Sequence, residues 1–309
     1  MKNGLCIFGE VLFDHFPDGQ RILGGAPFNV AWHLQAFAQA PMFISRIGMD
    51  AEGDSIISAM NDWHMDTAGI QRDAQLPTGS VNIEFDDGEP VYDIVEPSAY
   101  DAIMPITADA FSCRLLYHGS LALRNRSSRQ ALEQLREQTT GTVFIDVNLR
   151  SPWWQREAVV EMVQHANRVK LNRDELNLLH DSTSDDAARA FLQHYELDGL
   201  ILTLGSAGAE IITADGEQRQ VAPDSNTHIV DTVGAGDAFA SVVILGLLND
   251  WPIDHMLQRA QTFASAMVGQ RGATVSEQDF YRTFICLLYT SDAADDRRGV
   301  WWGGGGGGV

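Results

Sequence analysis

The sequence predicts an α/β fold: a doubly wound, mostly parallel β-sheet with helices on both faces and a small antiparallel β lid. Three observations lead to that class. Short apolar runs bounded by turn residues, several of them β-branched, alternate with longer segments of helical spacing. Strands that alternate with helices pair in parallel, because each crossover helix carries the chain back to start the next strand in the same direction. Two segments, 11–23 and 80–95, break the alternation with half-alternating strands around Asp18-Gly19 and Asp86-Asp87-Gly88, which is a hairpin pattern. Finally, hydrophobic residues are 45% and charged residues 20% of 309 residues, enough for a sizeable core and unlike a disordered or coiled-coil chain.

The apolar run 5–8, closed by Gly9, is the first buried strand. After the 11–23 hairpin, Pro27 suits an early helix position and helical spacing continues over 26–38. Strand 42–47 and helix 55–63 follow, then the 80–95 hairpin. The alternation resumes with strand 115–118, helix 129–138, strand 142–147, helix 153–165 with Trp153-Trp154 as a packing face, strand 168–171, helices 173–180 and 185–195, and strand 200–204. An apolar helix over 240–248 follows a small-residue turn. No repeat or linker divides residues 1–284, which read as one domain. Residues 285–309 read as foreign to it: they lack periodicity and end in Trp301-Trp302 and six glycines, Gly303 to Gly308, which offer no packing face and maximal backbone entropy.

Lys and Arg number 21 against 42 Asp and Glu, a formal charge of −21. Dispersed acidity of this size repels phosphate backbones and anionic lipid heads, so nucleic acid and membrane surfaces are excluded as partners. The cysteines Cys6, Cys113 and Cys286 form neither a CxxC nor a Cys/His cluster, and the apolar start is too short for a signal peptide or span. A cytoplasmic protein is expected.

The densest chemical signal is Asp231-Thr232-Val233-Gly234-Ala235-Gly236-Asp237-Ala238-Phe239. Small residues at a helix start leave backbone N–H groups uncovered where the macrodipole attracts an anion. An acid beside such a hole can take the proton of an attacking hydroxyl while the amides hold a transferring phosphoryl group. Read alone, the segment equally describes an ordinary helix start with a first-turn acid. Upstream, Gly24-Gly25-Ala26-Pro27-Phe28-Asn29-Val30-Ala31 opens a helix with one amide side chain in its first turn, either a ligand-facing turn or a plain N-terminus. Asp14 is a candidate acceptor for sugar hydroxyls or a solvated lid residue. Arg150 reads as a phosphate or sugar contact or, better, a surface ion pair.

These two segments together resemble the two signatures of the PfkB/ribokinase family of sugar kinases. Arg46-Ile47-Gly48-Met49-Asp50 with Gly53, Lys170-Leu171-Asn172 with Glu175, and Thr203-Leu204-Gly205-Ser206 with Gly208 agree in order, so the likeness spans about residues 4 to 284. Within the family, Pro77-Thr78-Gly79-Ser80-Val81 and Glu96-Pro97-Ser98-Ala99-Tyr100-Asp101 are most similar to bacterial fructokinases. The resemblance implies a ribokinase-like domain whose lid is formed by 11–23 and 80–95, and transfer of the ATP γ-phosphoryl group to a primary sugar hydroxyl, with fructose favoured. It implies Asp237 as the base, Gly234, Ala235 and Gly236 as the anion hole, and Asp14, Gly25 and Asn29 as sugar-binding residues. Asn172 and Glu175 would organise Mg²⁺ and phosphates through water, in keeping with magnesium's retained hydration. Thr203, Gly205 and Gly208 would contact nucleotide, Gly272 and Ala273 would flank adenine, and Asp231 matches a site for a monovalent cation such as K⁺. A homodimer through the lid is a further implication.

No GxxxxGK[ST], protein-kinase motif set, HExxH or complete GxGxxG occurs, which excludes a Walker P-loop kinase and leaves zinc and NAD unsupported. The nearest alternative is the same chemistry on 2-keto-3-deoxygluconate, ribose or a nucleoside. The alternative of another class is a non-catalytic sugar or nucleotide sensor, against which the intact Asp237 segment argues.

Overall fold

The computed structural model describes residues 4–86, 89–106, 113–180, 186–223 and 229–289. Along the chain, β1 (Leu5–Phe8) leads into a hairpin of β2 (Leu12–His15) and β3 (Arg21–Gly24), then α1 (Ala26–Ala36), β4 (Met42–Gly48), α2 (Ala51–Asp62) and β5 (Ile70–Asp73). A second hairpin, β6 (Gly79–Asp86) and β7 (Glu89–Ile94), precedes β8 (Cys113–His118), α3 (Arg126–Glu137), β9 (Thr139–Asp146), α4 (Arg156–Gln164) and β10 (Arg168–Asn172). There follow α5 (Arg173–Leu179), α6 (Ala187–His194), β11 (Gly199–Thr203), β12 (Ala209–Thr213), β13 (Gln218–Val221), α7 (Ala235–Leu248), α8 (Ile253–Val268) and α9 (Gln278–Tyr289).

The main sheet runs β13-β12-β11-β10-β9-β8-β1-β4-β5. Pairing is parallel from β11 through to β5 and antiparallel only where β12 and β13 extend the edge. Central β1 is buried along its whole length, as a strand covered on both faces must be. The lid sheet runs β3-β2-β6-β7. Its two hairpins are antiparallel, and their inner strands β2 and β6 run parallel to each other. The Asp18-Gly19 turn closes the first hairpin, with Gly19 at φ 85°; of the second expected turn, Asp87 and Gly88 lie outside the described residues.

Helices α1 and α7 sit inside the core. Pro27 through Leu34 and Asp237 through Gly246 are buried without interruption, so neither shows an exposed polar stripe. That places the two signature segments at the starts of two helices that pack against each other, with α1 also packing against β1. The lid is tied down by Asp50, which caps α2 by accepting from Gly53 N–H (2.8 Å) and also accepts from Thr78 N–H (2.8 Å) and Thr78 Oγ1–H (2.6 Å). Arg124 grips Asp101 through Nε (2.7 Å) and Nη2 (2.8 Å), anchoring the segment after β7.

Several boundaries differ from the sequence expectation. α1 ends at Ala36 because Ala38 takes a left-handed turn, φ 59°. α2 begins at Ala51, where Asp50 supplies the cap. Trp153 and Trp154 are not on a helix: Trp153 N–H bonds back to Arg150 O at 2.8 Å, so α4 starts only at Arg156. α6 begins at Ala187, and Asp185 lies outside the described residues. The 284/285 boundary falls inside α9, which runs on to Tyr289 with Leu288 only 2% exposed.

Candidate active site

The site collects at the carboxyl ends of β1, β8, β9, β10 and β11, where open α/β sheets bind ligands. α7 starts from Gly234, left-handed at φ 78°, with no side chain capping its first turn; Ala235 N–H donates to Thr232 O at 3.4 Å, and the uncapped start of a helix is suited to hold an anion. A Cβ at Gly234 would collide with Ala273, and Gly272 N–H donates to Asp231 Oδ2 at 3.0 Å. Asp231 Oδ1 accepts from Val233 N–H, also at 3.0 Å. One aspartate thus binds the turn before α7 to the 269–274 loop. The same loop is held from the other side by Trp32 of α1, whose Nε1–H donates to Val275 O at 2.9 Å.

Asp237, 8% exposed, accepts a 2.8 Å hydrogen bond from Nδ2 of Asn29, itself 4% exposed. Burial raises the Asp237 carboxyl to about 6, and the Asp146 charge adds to this; the Asn29 bond, Lys170 and Arg150 oppose it. The group is therefore ionised at neutral pH yet close to its proton affinity, as a general base should be. Lys170 forms a buried 2.7 Å ion pair with Asp146 Oδ2. Its Nζ stands 3.3 Å from where a Gly236 Cβ would be, so the glycine lets the cation approach the helix start. Burial alone would lower Lys170; Asp146, with Asp237 and Glu175, holds it above its ordinary value.

Gly25, at φ 109°, precedes α1, and a Cβ there would lie 2.7 Å from the Glu10 carbonyl oxygen, which leaves no room for a side chain. Asp14 on β2 is raised to about 6 by burial, against Arg150 and His15. Asn172 and Glu175 form a reciprocal cap: Asn172 Oδ1 accepts from Glu175 N–H and Glu175 Oε2 from Asn172 N–H, each at 2.8 Å. Glu175 Oε1 also accepts from Leu149 N–H at 2.7 Å, fixing the loop that carries the exposed Arg150. Both Glu175 oxygens are already engaged by amides. A magnesium ion reached through water fits this carboxylate, whereas direct ligation would compete with two backbone bonds. Thr203 ends β11, one strand beyond Asn172, and Gly205 and Gly208 shape the next turn at φ 59° and 94°. A Cβ at Gly208 would strike Val221 O.

The pfkB family carbohydrate kinase profile matches residues 7–279. The chain belongs to the PfkB family of carbohydrate kinases. Aminoimidazole riboside kinase of Salmonella typhimurium is 31% identical over 272 residues, covering 82% of this chain and 84% of that protein. Fructokinase of Klebsiella pneumoniae is 29% identical over 296 residues, covering 90% and 95%. Among solved structures, aminoimidazole riboside kinase of Salmonella enterica, complexed with aminoimidazole riboside and an ATP analog, superposes with a TM-score of 0.76 at 27% identity, covering 91% of this chain and 99% of that one. A double mutant of fructokinase from Vibrio cholerae O395, bound to fructose, ADP and potassium ion, gives 0.75 at 25% identity, covering 91% and 98%. The chain is an ATP-dependent sugar kinase with the PfkB fold.

In this PfkB chain, direct contacts bring Asn29 to Asp237, Gly234 to Ala273, Asp231 to Gly272 and Asn172 to Glu175. Sequence reasoning missed Asp146 and Lys170, the buried ion pair beside the start of α7. The available signal was the same for each: an ionisable residue inside or just after an otherwise apolar strand, which is rarely buried without a partner. Among the described residues no group of three His, Cys, Asp or Glu side chains is placed to hold a metal ion, and no helix is long and apolar enough to cross a membrane.

Proposed function

We propose that this kinase phosphorylates a primary hydroxyl of fructose, with Asp237 as general base. The bond between Asn29 and Asp237 carries the reading, since it seats a carboxylate raised to about 6 between a polyol-binding amide and a helix start suited to the terminal phosphate. Asp237 takes the hydroxyl proton as the oxygen bonds to the γ-phosphorus and the bond to the β-phosphate oxygen breaks, releasing ADP. Amides at Gly234, Ala235 and Gly236, with Lys170 behind them, stabilise the charge on the transferring group. Asp14, Gly25 and Asn29 hold the sugar under the lid. Thr203, Gly205, Gly208, Gly272 and Ala273 line the nucleotide side.

Mg²⁺, held through water near Glu175, would neutralise phosphate charge; K⁺ beside Asp231 would steady the anion-hole turn. The fructokinase relatives support fructose, and the 31% identity to a riboside kinase favours a nucleoside-like riboside as the second reading. Exposed Phe85, Val91 and Tyr92 on the lid support a homodimer paired through it. The chemistry needs only ATP and a small sugar, which suits the cytoplasm.

The experiment is a panel of fructose, ribose, 2-keto-3-deoxygluconate and aminoimidazole riboside with ATP and Mg²⁺, read by coupled ADP release. Fructose should give the highest kcat/KM. Sugar binding without ADP release would favour the sensor reading and refute the kinase mechanism.

A further inference from the structure

Glu10 follows β1 and is 3% exposed, and its Oε2 is buried without a hydrogen-bond partner among the described residues. Asn29 Oδ1 is in the same condition, although its Nδ2 is committed to Asp237. Buried acceptors are almost always satisfied, so two orphans beside one base indicate missing donors. The groups that act on Glu10 or feel its charge are Asp237 on α7, Arg150 after β9, the Ala122 amide after β8, Tyr117 on β8, and Tyr100 in the segment after β7. Arg150 also acts on Asp14 and Asp237. One cation thus lies within electrostatic reach of Glu10, Asp14 and Asp237, and the Glu10 carbonyl oxygen lies 2.7 Å from where a Gly25 Cβ would be, so Glu10 sits against the start of the helix that carries Asn29.

We infer that Glu10 is a further acceptor-binding residue, whose Oε2 and Asn29 Oδ1 take hydroxyl donors from the sugar held against Asp237. This rests on the kinase reading above and narrows its substrate class to neutral polyols with free hydroxyls beside the reacting one. A sugar acid would bring a fourth negative charge among these carboxylates and supply fewer donors. Burial, reinforced by Asp237 and opposed by Arg150, lifts the Glu10 carboxyl to about 7, so its proton state changes across the assay range.

The test compares wild type, Glu10→Gln and Glu10→Ala in sugar phosphorylation from about pH 5.5 to about 8.5, with melting temperature measured for each. Glu10→Ala should raise the sugar KM by roughly tenfold or more while kcat and the ATP KM change less than about threefold. Glu10→Gln keeps one acceptor oxygen; it should recover most of the affinity and lose an ionisation near 7 from the kcat/KM profile. A merely structural carboxyl would lower stability without moving that profile. A wild-type sugar KM in Glu10→Ala, or a wild-type pH profile in Glu10→Gln, overturns the inference and leaves the kinase reading standing. A wild-type protein that releases no ADP with any polyol overturns both.

Discussion

Asn29 and Asp237 are 208 positions apart and meet through one buried hydrogen bond of 2.8 Å. The amide orients the carboxylate and favours its charged form, since a bond donated to an ionised group lowers its proton affinity. The two helix starts that carry them are therefore joined by a buried side-chain contact.

Removing that donor should move the base. In Asn29→Ala, Asp237 loses an influence that lowers its proton affinity, so the acid limb of kcat/KM should shift above about 6. Sugar KM should rise as well. A pH-rate profile that keeps its acid limb unmoved would show that the bond does not tune the base.

Asp237→Asn should reduce kcat by roughly 10² to 10⁴-fold, the range for losing a general base, with ATP affinity nearly intact by calorimetry. Its stability should change in the opposite sense. Asp237 titrates at about 6 when folded against an ordinary 3.8, so the fold retains a proton that the unfolded chain has already released. This contribution is fully present below about pH 4 and is lost as pH rises through about 6, a swing of about 3 kcal/mol. Asn at 237 removes the swing. The variant should match wild type near pH 4 and unfold at higher temperature than wild type above about pH 7, as thermal melts across pH will show.

Lys170→Met should destabilise the protein by about 3 to 5 kcal/mol, because it leaves Asp146 buried without its cation. Pairing it with Asp146→Leu should restore much of the loss. Denaturant melts of the two single variants and the double variant form the cycle, and additive costs would argue against a tightly coupled pair.

Gly234→Ala should disturb both fold and phosphate binding. Its left-handed backbone costs a β-carbon about 1 to 2 kcal/mol, and that atom would also strike Ala273. ATP KM should rise more than sugar KM, since the anion-hole turn shifts while the Asn29 helix does not. Equal effects on both substrates would mean that the two signature turns move together.

The doubly wound sheet was legible because period and punctuation are local. The run at 5–8, the glycine turns before α1 and α7, and the Asp18-Gly19 hairpin all announce themselves within a few residues. Strands β5, β12 and β13 and helices α8 and α9 were not read, nor was the continuation of α9 past Phe284. Leu288 is apolar in any setting; only packing against the core makes it part of the domain.

The sequence by itself determined which residues can do the chemistry: an acid after small residues at one helix start, an amide after glycines at another. Tertiary structure alone decided that they touch, that Lys170 stands behind Gly236, and that Glu10 lies against Gly25 at the second of these helix starts. Side-chain identity follows from the chain order. Proton affinity does not, because the groups that set it at Asp237 come from segments between 67 and 208 residues away, and only the packed fold brings them together.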